Sequence, residues 1–592
     1  MKKTVLFAII VMAGWNWRLP AGDFWKEKVD AALLRRAEST QIVDFIVMLE
    51  NQAELPAITA QRTKNQKGQY VYQQLSEHAR RTQSAVLQLL QQRGAPHRSF
   101  FIVNAIYVKG DIALIQALAE RPEVKAVIDN SPVRVTESVY EPNQTLESRD
   151  LIEWGIERIN ANDVWALGYT GQGAVVAGAD TGYEWDHPAI KDKYRGWNGA
   201  EADHSYNWHD GVHELNPLNQ DSTQNPANNP CGLSSVVPCD DHSHGTHTMG
   251  TMVGDDGQGN QIGVAPGARW MACRNMERGW GSPATYIECF EFFLAPTDIN
   301  NANPDPSKSP HVINNSWGCP EQEGCNTSNF SLIETVVNNL KASGIVVVAS
   351  AGNSGSGCET VNNPAAMFEN AFSVGATRAT DTIANFSSRG PVTVDGSGRL
   401  KPNVSAPGVG VRSSTRFGQY ASWNGTSMAG PHVAGLVALI ISANPELAGQ
   451  VETIETIIEE TAVPVQAAQD CGTTSGLNVP NQSYGYGRID ALAAVQRALE
   501  MVTDISQPGA YSPAQVFPNP FKRELTLEWN DAPQGAVDFE LYNTTQQQVR
   551  SYQWNCNGPL RQTITLADLP AGVYIYRLSS GEWVQSGKVV RE

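Results

Sequence analysis

Three features of the sequence predict an α/β domain with a mainly parallel central sheet, preceded by a smaller α+β unit and followed by an all-β sandwich. Between about residues 151 and 502, wholly apolar runs such as GAVVAGAD and GIVVVASAG alternate with helix-like stretches. A strand apolar at every position is buried on both faces, and its alternation with helices is the pattern of a parallel sheet covered on each side. Residues 41–135 change period repeatedly within a short span. After Met501, short strand-like runs recur between turn signals at about 8–12-residue spacing, as in a sandwich.

The elements follow in order. A chain of 592 residues is long enough for roughly four units at about 150 residues each. Lys2 and Lys3 precede the apolar run Val5 to Trp15. That run is short of the about 20 residues needed to span a bilayer, and it fits a secretory signal peptide. We assign it residues 1–21, with Ala13 and Ala21 as candidate cleavage sites. Beyond it, no stretch reads as long and apolar enough to cross a membrane. QIVDFIVMLE reads as a strand. Residues 66–93 hold no proline and set Val71, Leu75, Ala79, Val86 and Leu90 near one helical face. Ser99 to Lys109 supply two strands with a break at Asn104, Asp111 caps a short helix, and Val124 to Asp129 form a last strand. The order β-α-β-β-α-β is that of a ferredoxin-like unit, assigned to residues 40–138. Residues 136–150 are polar and aperiodic, an exposed linker where nicking is easy. The α/β domain spans 150–502; within it, 197–242 reads as a long surface insertion and 427–443 as a buried helix. The sandwich spans 513–592.

Composition excludes some functions. The charge sum is 43 − 61 = −18 with pI about 5.1, which is not the basic footprint of a nucleic-acid binder and offers no polybasic patch to anionic lipid. Nine cysteines are too few for a disulfide scaffold. Cys231/Cys239 and Cys319/Cys325 are close neighbours and read as short-range disulfides of an exported protein, with buried thiols as the alternative. Eight cysteines allow 105 pairings, so connectivity stays open. Cys556 stands alone and reads as unpaired. No C-x-x-C pair occurs, which argues against a zinc ribbon.

Three segments of the α/β region carry reactive side chains. Asp180 ends the strand GAVVAGAD, His244 lies in DDHSHGTHTMG, and Ser427 in NGTSMAGPHVAG opens an apolar helix. A serine hydroxyl is a weak nucleophile that needs a base, and a histidine oriented by a carboxylate is the usual one. Each residue has a plainer reading. Asp180 alone is a turn residue, and Ser427 alone a helix cap. D-T-G also suits an aspartic protease, but no second D-T-G or D-S-G occurs. His242, His244 and His247 could hold a metal, yet no fitting H-E-x-x-H exists. His432, inside the apolar helix, reads as a packed core histidine. The chain order Asp, His, Ser separates this arrangement from other serine-hydrolase orders.

On these motifs the sequence resembles the subtilisin-like serine peptidases, or subtilases. The matching blocks are A-D-T-G at 179–182, H-G-T-H at 244–247 and G-T-S-M-A-G-P at 425–431. NNSWG, ASAGN, SSRGP and KPNVSAPG match as well. Through APGARWMACR and NNSWG it is most similar to the bacillopeptidase F-like group. The resemblance implies a three-layer subtilisin-like fold and an Asp180–His244–Ser427 triad. It implies that Asn353 is a side-chain donor of the oxyanion hole. It further implies that Gly279–Trp280–Gly281 and Ser316–Trp317–Gly318 pair with an extended substrate, and that Ser350–Ala351–Gly352 wall the primary specificity pocket.

By family logic, residues 40–138 are an inhibitory propeptide, cut off by self-cleavage within 130–150. The text VFPNPF, GVYIYRL and a terminal KVV resembles the C-terminal sorting domain of the type IX secretion system of Bacteroidota, with a carbohydrate- or surface-binding sandwich as the alternative. The whole reads as a secreted or cell-surface serine endopeptidase that passes through the periplasm and outer membrane. The alternative is a catalytically idle surface-binding protein on a subtilase scaffold. The implied partners are protein or peptide substrates, the chain's own propeptide and the type IX machinery. No nucleic acid, a monomeric state and no cofactor for catalysis are expected. Structural calcium is compatible with the family, and no metal ligands are assigned.

Overall fold

The computed structural model describes residues 24–55, 62–134, 139–140, 152–216, 218–219, 229–318, 329–503, 514–530, 532, 534–543, 547–580 and 583–592. The signal segment, nearly all of the 136–150 linker and the Cys319/Cys325 pair lie outside the described residues.

The N-terminal unit runs α1 (Ala31–Ser39), β1 (Val43–Leu49), α2 (Lys64–Thr82), α3 (Ser84–Arg93), β2 (His97–Phe100), β3 (Ala105–Gly110), α4 (Ile112–Ala119) and β4 (Val124–Asp129). Its sheet has the order β2-β3-β1-β4 with every neighbouring pair antiparallel. Asp111 caps α4 by accepting from Leu114 N at 2.8 Å, as its position suggests. The single helix expected over 66–93 is two helices. They part at Gln83, whose fully buried amide donates to Phe100 O at 2.7 Å and Asn104 Oδ1 at 3.0 Å. A buried amide must find such partners, and here they tie the helix break to the β2–β3 turn. The expected apolar face is divided with it: Val71 and Leu75 join a core shared with the α/β domain, whereas Val86 and Leu90 fill the unit's own core.

Two short strands follow, β5 (Val133–Arg134) and β6 (Val139–Tyr140). The α/β domain then runs α5 (Trp154–Arg158), α6 (Ala161–Ala166), β7 (Val175–Asp180), β8 (Trp208–Asp210), α7 (His244–Val253), β9 (Arg269–Arg274), β10 (Trp280–Gly281), α8 (Pro283–Leu294), β11 (Val312–Asn315), α9 (Phe330–Ala342), β12 (Val346–Ser350), β13 (Phe372–Thr377), β14 (Val404–Pro407), β15 (Val411–Thr415), β16 (Gln419–Asn424), α10 (Thr426–Ala443), α11 (Val451–Glu460) and α12 (Ala491–Thr503). Among the described residues, seven strands form one sheet in the order β14-β13-β12-β11-β7-β9-β8, each pairing parallel.

Successive residues of these strands serve opposite cores. Val312, Val346 and Val348 face one side, and Ile313, Val347 and Ala349 the other. This is why the runs are apolar throughout. Helices α7, α10, α11 and α12 fill the first core, and α8 and α9 the second.

Two expectations change here. The 197–242 insertion is not all surface: Trp208, 3% exposed, lies in the edge strand β8, and its Nε1–H donates to Ser235 O at 2.8 Å. Helix α10 is long and apolar enough to cross a membrane, contrary to the sequence reading, but it is wholly buried inside the domain. Its apolarity answers to a protein core on all sides.

The C-terminal strands β17 (Gln515–Phe517), β18 (Glu524–Trp529), β19 (Gly535–Asn543), β20 (Gln548–Cys556), β21 (Leu560–Thr565), β22 (Gly572–Ser580) and β23 (Trp583–Arg591) form two antiparallel sheets. They enclose Trp529, Phe539, Leu541 and Leu578. Cys556 is free and buried.

Disulfides join Cys231–Cys239, Cys273–Cys289 and Cys358–Cys471. The first is the short-range pair expected from spacing; the third closes 113 residues, a pairing that proximity in sequence does not suggest. Cross-linking so long a loop removes much denatured-state entropy. Replacing Cys358 and Cys471 by serine in the full chain should therefore cost about 2–5 kcal/mol of stability, read as a lowered midpoint of thermal or urea unfolding.

Candidate active site

The site lies at the carboxyl ends of the central strands, where parallel sheets leave a crevice. Asp180 is the last residue of β7, followed by Thr181 and Gly182. Gly182 has φ +107°, and a Cβ there would meet Cys239 O at 1.8 Å, so only glycine lets the two segments approach. Opposite, His244 begins α7. Its Nδ1 lies 2.7 Å from Asp180 Oδ1, and both side chains are 1% exposed. The carboxylate can only accept, so Nδ1 carries the proton and Nε2 is the basic nitrogen. Asp180 Oδ1 also accepts from Thr181 N at 2.7 Å.

The start of α7 is fixed by Asp240, a residue to which sequence reasoning gave no role. Its Oδ1 accepts from His242 N and Ser243 N at 2.9 Å each and from Thr181 Oγ1 at 2.9 Å. Its Oδ2 accepts from Thr246 N at 3.1 Å and Thr246 Oγ1 at 2.6 Å. Thr181 Oγ1 accepts from Gly245 N at 3.1 Å. The strand carrying Asp180 and the helix carrying His244 are thus joined through one buried carboxylate. An aspartate a few residues ahead of a helix is a recognisable cap signal. That signal alone could not choose between Asp240 and Asp241, and Asp241 instead pairs with the buried Arg274.

The electrostatics separate the histidines. Burial opposes charge on His244, but the Asp180 charge, its hydrogen bond and the nearby Asp240 charge outweigh it, so the imidazole pKa lies above its usual value. Burial takes His247 down to about 3, helped by the His244 charge. Its ring stacks on Trp423 with centroids 4.5 Å apart, and its Nε2 donates towards Val411 O and Ala421 O at 3.2 and 3.1 Å. His244 and His247 are therefore committed to different partners and do not converge on a metal with His242. Burial also lowers His432 to about 4. Its Nδ1–H donates to Met428 O at 2.8 Å, the packed core histidine that the sequence suggests.

Ser427 sits in the first turn of α10, which the sheet ends hold from below. Ser350 Oγ donates to Thr426 O at 2.9 Å, and Ser316 Oγ donates to Ser427 O at 3.1 Å. Asn314 Nδ2 donates to Ser316 Oγ at 2.8 Å. Asn353 Oδ1 accepts from Thr426 N and Thr426 Oγ1, both at 2.9 Å, which turns its Nδ2 the other way. A Cβ on Gly425 would lie 3.5 Å from Asn353 Nδ2 and 3.6 Å from Ser427 N, so the two N–H donors border one space. Ser427 Oγ donates to Ser316 O at 3.2 Å, and His244 Nε2 has no hydrogen-bond partner among the described residues. Hydroxyl and imidazole are each positioned by neighbours, and their mutual hydrogen bond is not formed in this state.

The expected substrate-binding residues divide by side chain and backbone. Trp317 does not line a cleft: it is 3% exposed and stacks on Tyr286 with centroids 3.8 Å apart. Ser350 braces α10, Ala351 is buried, and Gly352 N donates to Thr426 Oγ1 at 3.2 Å. Gly279 has φ +85° and turns the chain into β10. Trp280 and Gly281 pair antiparallel with Arg134 and Val133 of β5, while Trp423 and Asn424, just before the Ser427 helix, pair with Tyr140 and Val139 of β6. Residues 133–134 and 139–140 thus pair with the two segments that flank the site; residues 135–138 lie outside the described residues.

Residues 171–487 match the subtilase family. The chain belongs to that family. Residues 515–592 match the secretion system C-terminal sorting domain, which marks the protein for type IX export to the cell surface or beyond. The chain is 36% identical to bacillopeptidase F of Bacillus subtilis over 509 residues, 81% of this chain but 33% of that protein, so it spans a third of that relative's length. It is 31% identical to subtilisin E of Bacillus subtilis over 60% of this chain and 74% of that protein. Among solved structures it resembles the epidermin leader peptide processing serine protease of Staphylococcus aureus, with TM-score 0.56, 16% identity and coverage of 77% of this chain and 99% of that one. That likeness is one of fold.

The Asp180 contact sets the sign of a titration. In the Ser427→Ala chain, NMR should find His244 titrating above the ordinary histidine value of about 6.5. Asp180→Asn removes the charge and leaves burial dominant, so the pKa should then fall below that value.

Proposed function

We propose that the protein is a serine endopeptidase made as a self-processing precursor. Ser427 Oγ attacks the scissile carbonyl carbon while its proton passes to His244 Nε2. The tetrahedral intermediate collapses to an acyl-enzyme as His244 returns the proton to the leaving amine, and water completes the cycle by the same route. Asp180 holds the imidazole in the Nδ1–H form and favours the imidazolium. Asn353 Nδ2 and Ser427 N, which border one space beside Gly425, donate to the oxyanion, aided by the N-terminus of α10. Each proton in this cycle is carried by the chain or by water. Residues 279–281 and 316–318 receive the substrate chiefly through backbone, in β-augmentation. Activity should fall as the pH drops through the raised His244 pKa.

The observation that carries this reading is the pairing of β5 and β6 with the two segments that flank the site. The antiparallel pairing of β5 with β10, and of β6 with Trp423–Asn424 just before Ser427, is the kind a bound peptide would make. In this reading residues 40–138 are the inhibitory propeptide. Its sheet packs on α8 and α9, Phe101 N and Ile102 N donate to Glu291 Oε2 at 2.6 and 3.0 Å, and Lys67 Nζ donates to Gly449 O at 2.7 Å. The broad 130–150 window for self-cleavage then narrows to the bonds between Arg134 and Val139. After cleavage the enzyme is released or displayed by way of the periplasm and the type IX machinery that reads its C-terminal domain.

Two experiments test the proposal. The purified wild-type chain should convert to a shorter form whose N-terminus, by sequencing, begins between residues 135 and 139, and should hydrolyse casein; Ser427→Ala should stay full-length and inert. A wild-type chain that neither shortens nor reacts with a serine-directed inhibitor would favour the idle-scaffold alternative. In the mature enzyme, Asn353→Ala should lower kcat by about 10²–10³ with little change in KM, a magnitude carried over from the equivalent donor of a subtilisin.

A further inference from the structure

On the far edge of the sheet from α10 lies a second cluster of reactive side chains. His209 of β8, His213 in the following loop and Glu288 of α8 converge so that their ligand atoms lie within 4.8 Å of one another. His209 Nε2 and His213 Nε2 are each 2.8 Å from Glu288 Oε1. Glu288 is buried, 8% exposed. Its second oxygen, Oε2, pairs with the guanidinium of Arg98, which belongs to the N-terminal unit. His209 is held by stacking on Phe292, with centroids 5.2 Å apart, and His213 Nδ1 lies 2.7 Å from Ser234 Oγ. A cavity of about 700 Å³ between the two units, lined by Arg98, His213, Glu214 and Trp280 among others, gives solvent a route to the cluster.

We propose that His209, His213 and Glu288 form a binding site for a zinc-class divalent ion, and that the precursor fills the cation's place with Arg98. Two imidazole nitrogens and one carboxylate oxygen are the donors such ions take, with a water as fourth ligand. Metal bonds of about 2.0–2.2 Å separate tetrahedral ligands by about 3.3 Å. The present 2.8 Å contacts therefore need to open by only a few tenths of an ångström. Each Nε2 now donates its proton to an acceptor-only carboxylate. On metal binding that proton moves to Nδ1, where Ser234 Oγ is in place to accept it from His213, the outer contact that orients a metal-bound imidazole.

Arg98 gives the site its timing, a step that rests on the propeptide reading above. While residues 40–138 stay docked, a fixed positive charge occupies Glu288. When they leave, Glu288 keeps its two histidine neighbours but loses its cation, an arrangement that favours an incoming ion. Metal and N-terminal unit then compete for Glu288. By linkage, the metal must weaken rebinding of the severed unit by the factor by which that unit weakens the metal.

Cobalt(II) and zinc(II) titrations test this, with visible absorption reporting cobalt coordination and calorimetry reporting zinc. The Ser427→Ala precursor should bind at least tenfold more weakly than the mature enzyme. Adding Arg98→Ala to that precursor should restore tight one-to-one binding with a four-coordinate cobalt spectrum. His213→Ala, at a half-exposed position, should cost about tenfold or more in affinity, and His209→Ala likewise, with circular dichroism confirming the fold. Equal affinity in precursor and mature forms, or affinity indifferent to both histidines, would overturn the proposal. Should Arg98→Ala open the site while the wild-type chain never matures, the site stands and the self-processing reading falls.

Discussion

The seating of one apolar helix on the ends of a parallel sheet is the constraint on which the molecule depends. Helix α10 is buried along its length, so its first turn cannot turn to water for its polar groups. Ser316, Ser350 and Asn353, from β12 and the segments just beyond β11 and β12, supply the partners, and Asn314 braces Ser316. Close approach completes the fit: a Cβ on Gly430 would come within 2.9 Å of Asn314 Oδ1. The same contacts that satisfy the helix end fix where Ser427 stands and which way Asn353 presents its amide nitrogen. Stability and chemistry here share their atoms.

Asp240 does the equivalent work for the other half of the site. Its carboxylate gathers the start of α7 and the turn after β7, so Asp180 and His244 meet with little freedom to drift. The pair is almost fully buried, where a charge is costly unless it is matched. The match is what raises the imidazole pKa despite its burial. Proximity to this pair does not make the neighbouring His247 basic. Burial and the neighbouring His244 charge hold it neutral, against the Val411 and Ala421 carbonyls, which favour its charge.

The N-terminal unit is bound to the domain by more than its linker. Ile46, Met48, Val71 and Leu75 contribute to the same core as α8 and α9, and buried polar contacts from Phe101, Ile102 and Lys67 reach across. An interface with shared core and satisfied polar groups resembles a domain interior more than a transient contact. Cutting the connecting segment would therefore not release the unit at once. If the unit is released as proposed, other forces must draw it off, and competition for Glu288 is the one we propose.

Much of this was legible in the sequence because it is local. Wholly apolar runs give strands buried on both faces, alternating patterns give the C-terminal sandwich, and Asp111 announces its own cap. The motifs around Asp180, His244 and Ser427 carry the site because the backbone there must take one shape, as Gly182 at φ +107° demonstrates. What the sequence left undecided depends on groups that meet only after folding. Gln83 breaks a continuous helical pattern because Phe100 and Asn104 lie beneath it. Trp317 turns inward because Tyr286 offers a ring to stack on. Cys358 finds Cys471 across 113 residues, and Arg98 of one unit finds Glu288 of another. Periodicity and spacing record what neighbours along the chain require. Partners brought together by tertiary packing leave no such record, so only the folded structure decides them.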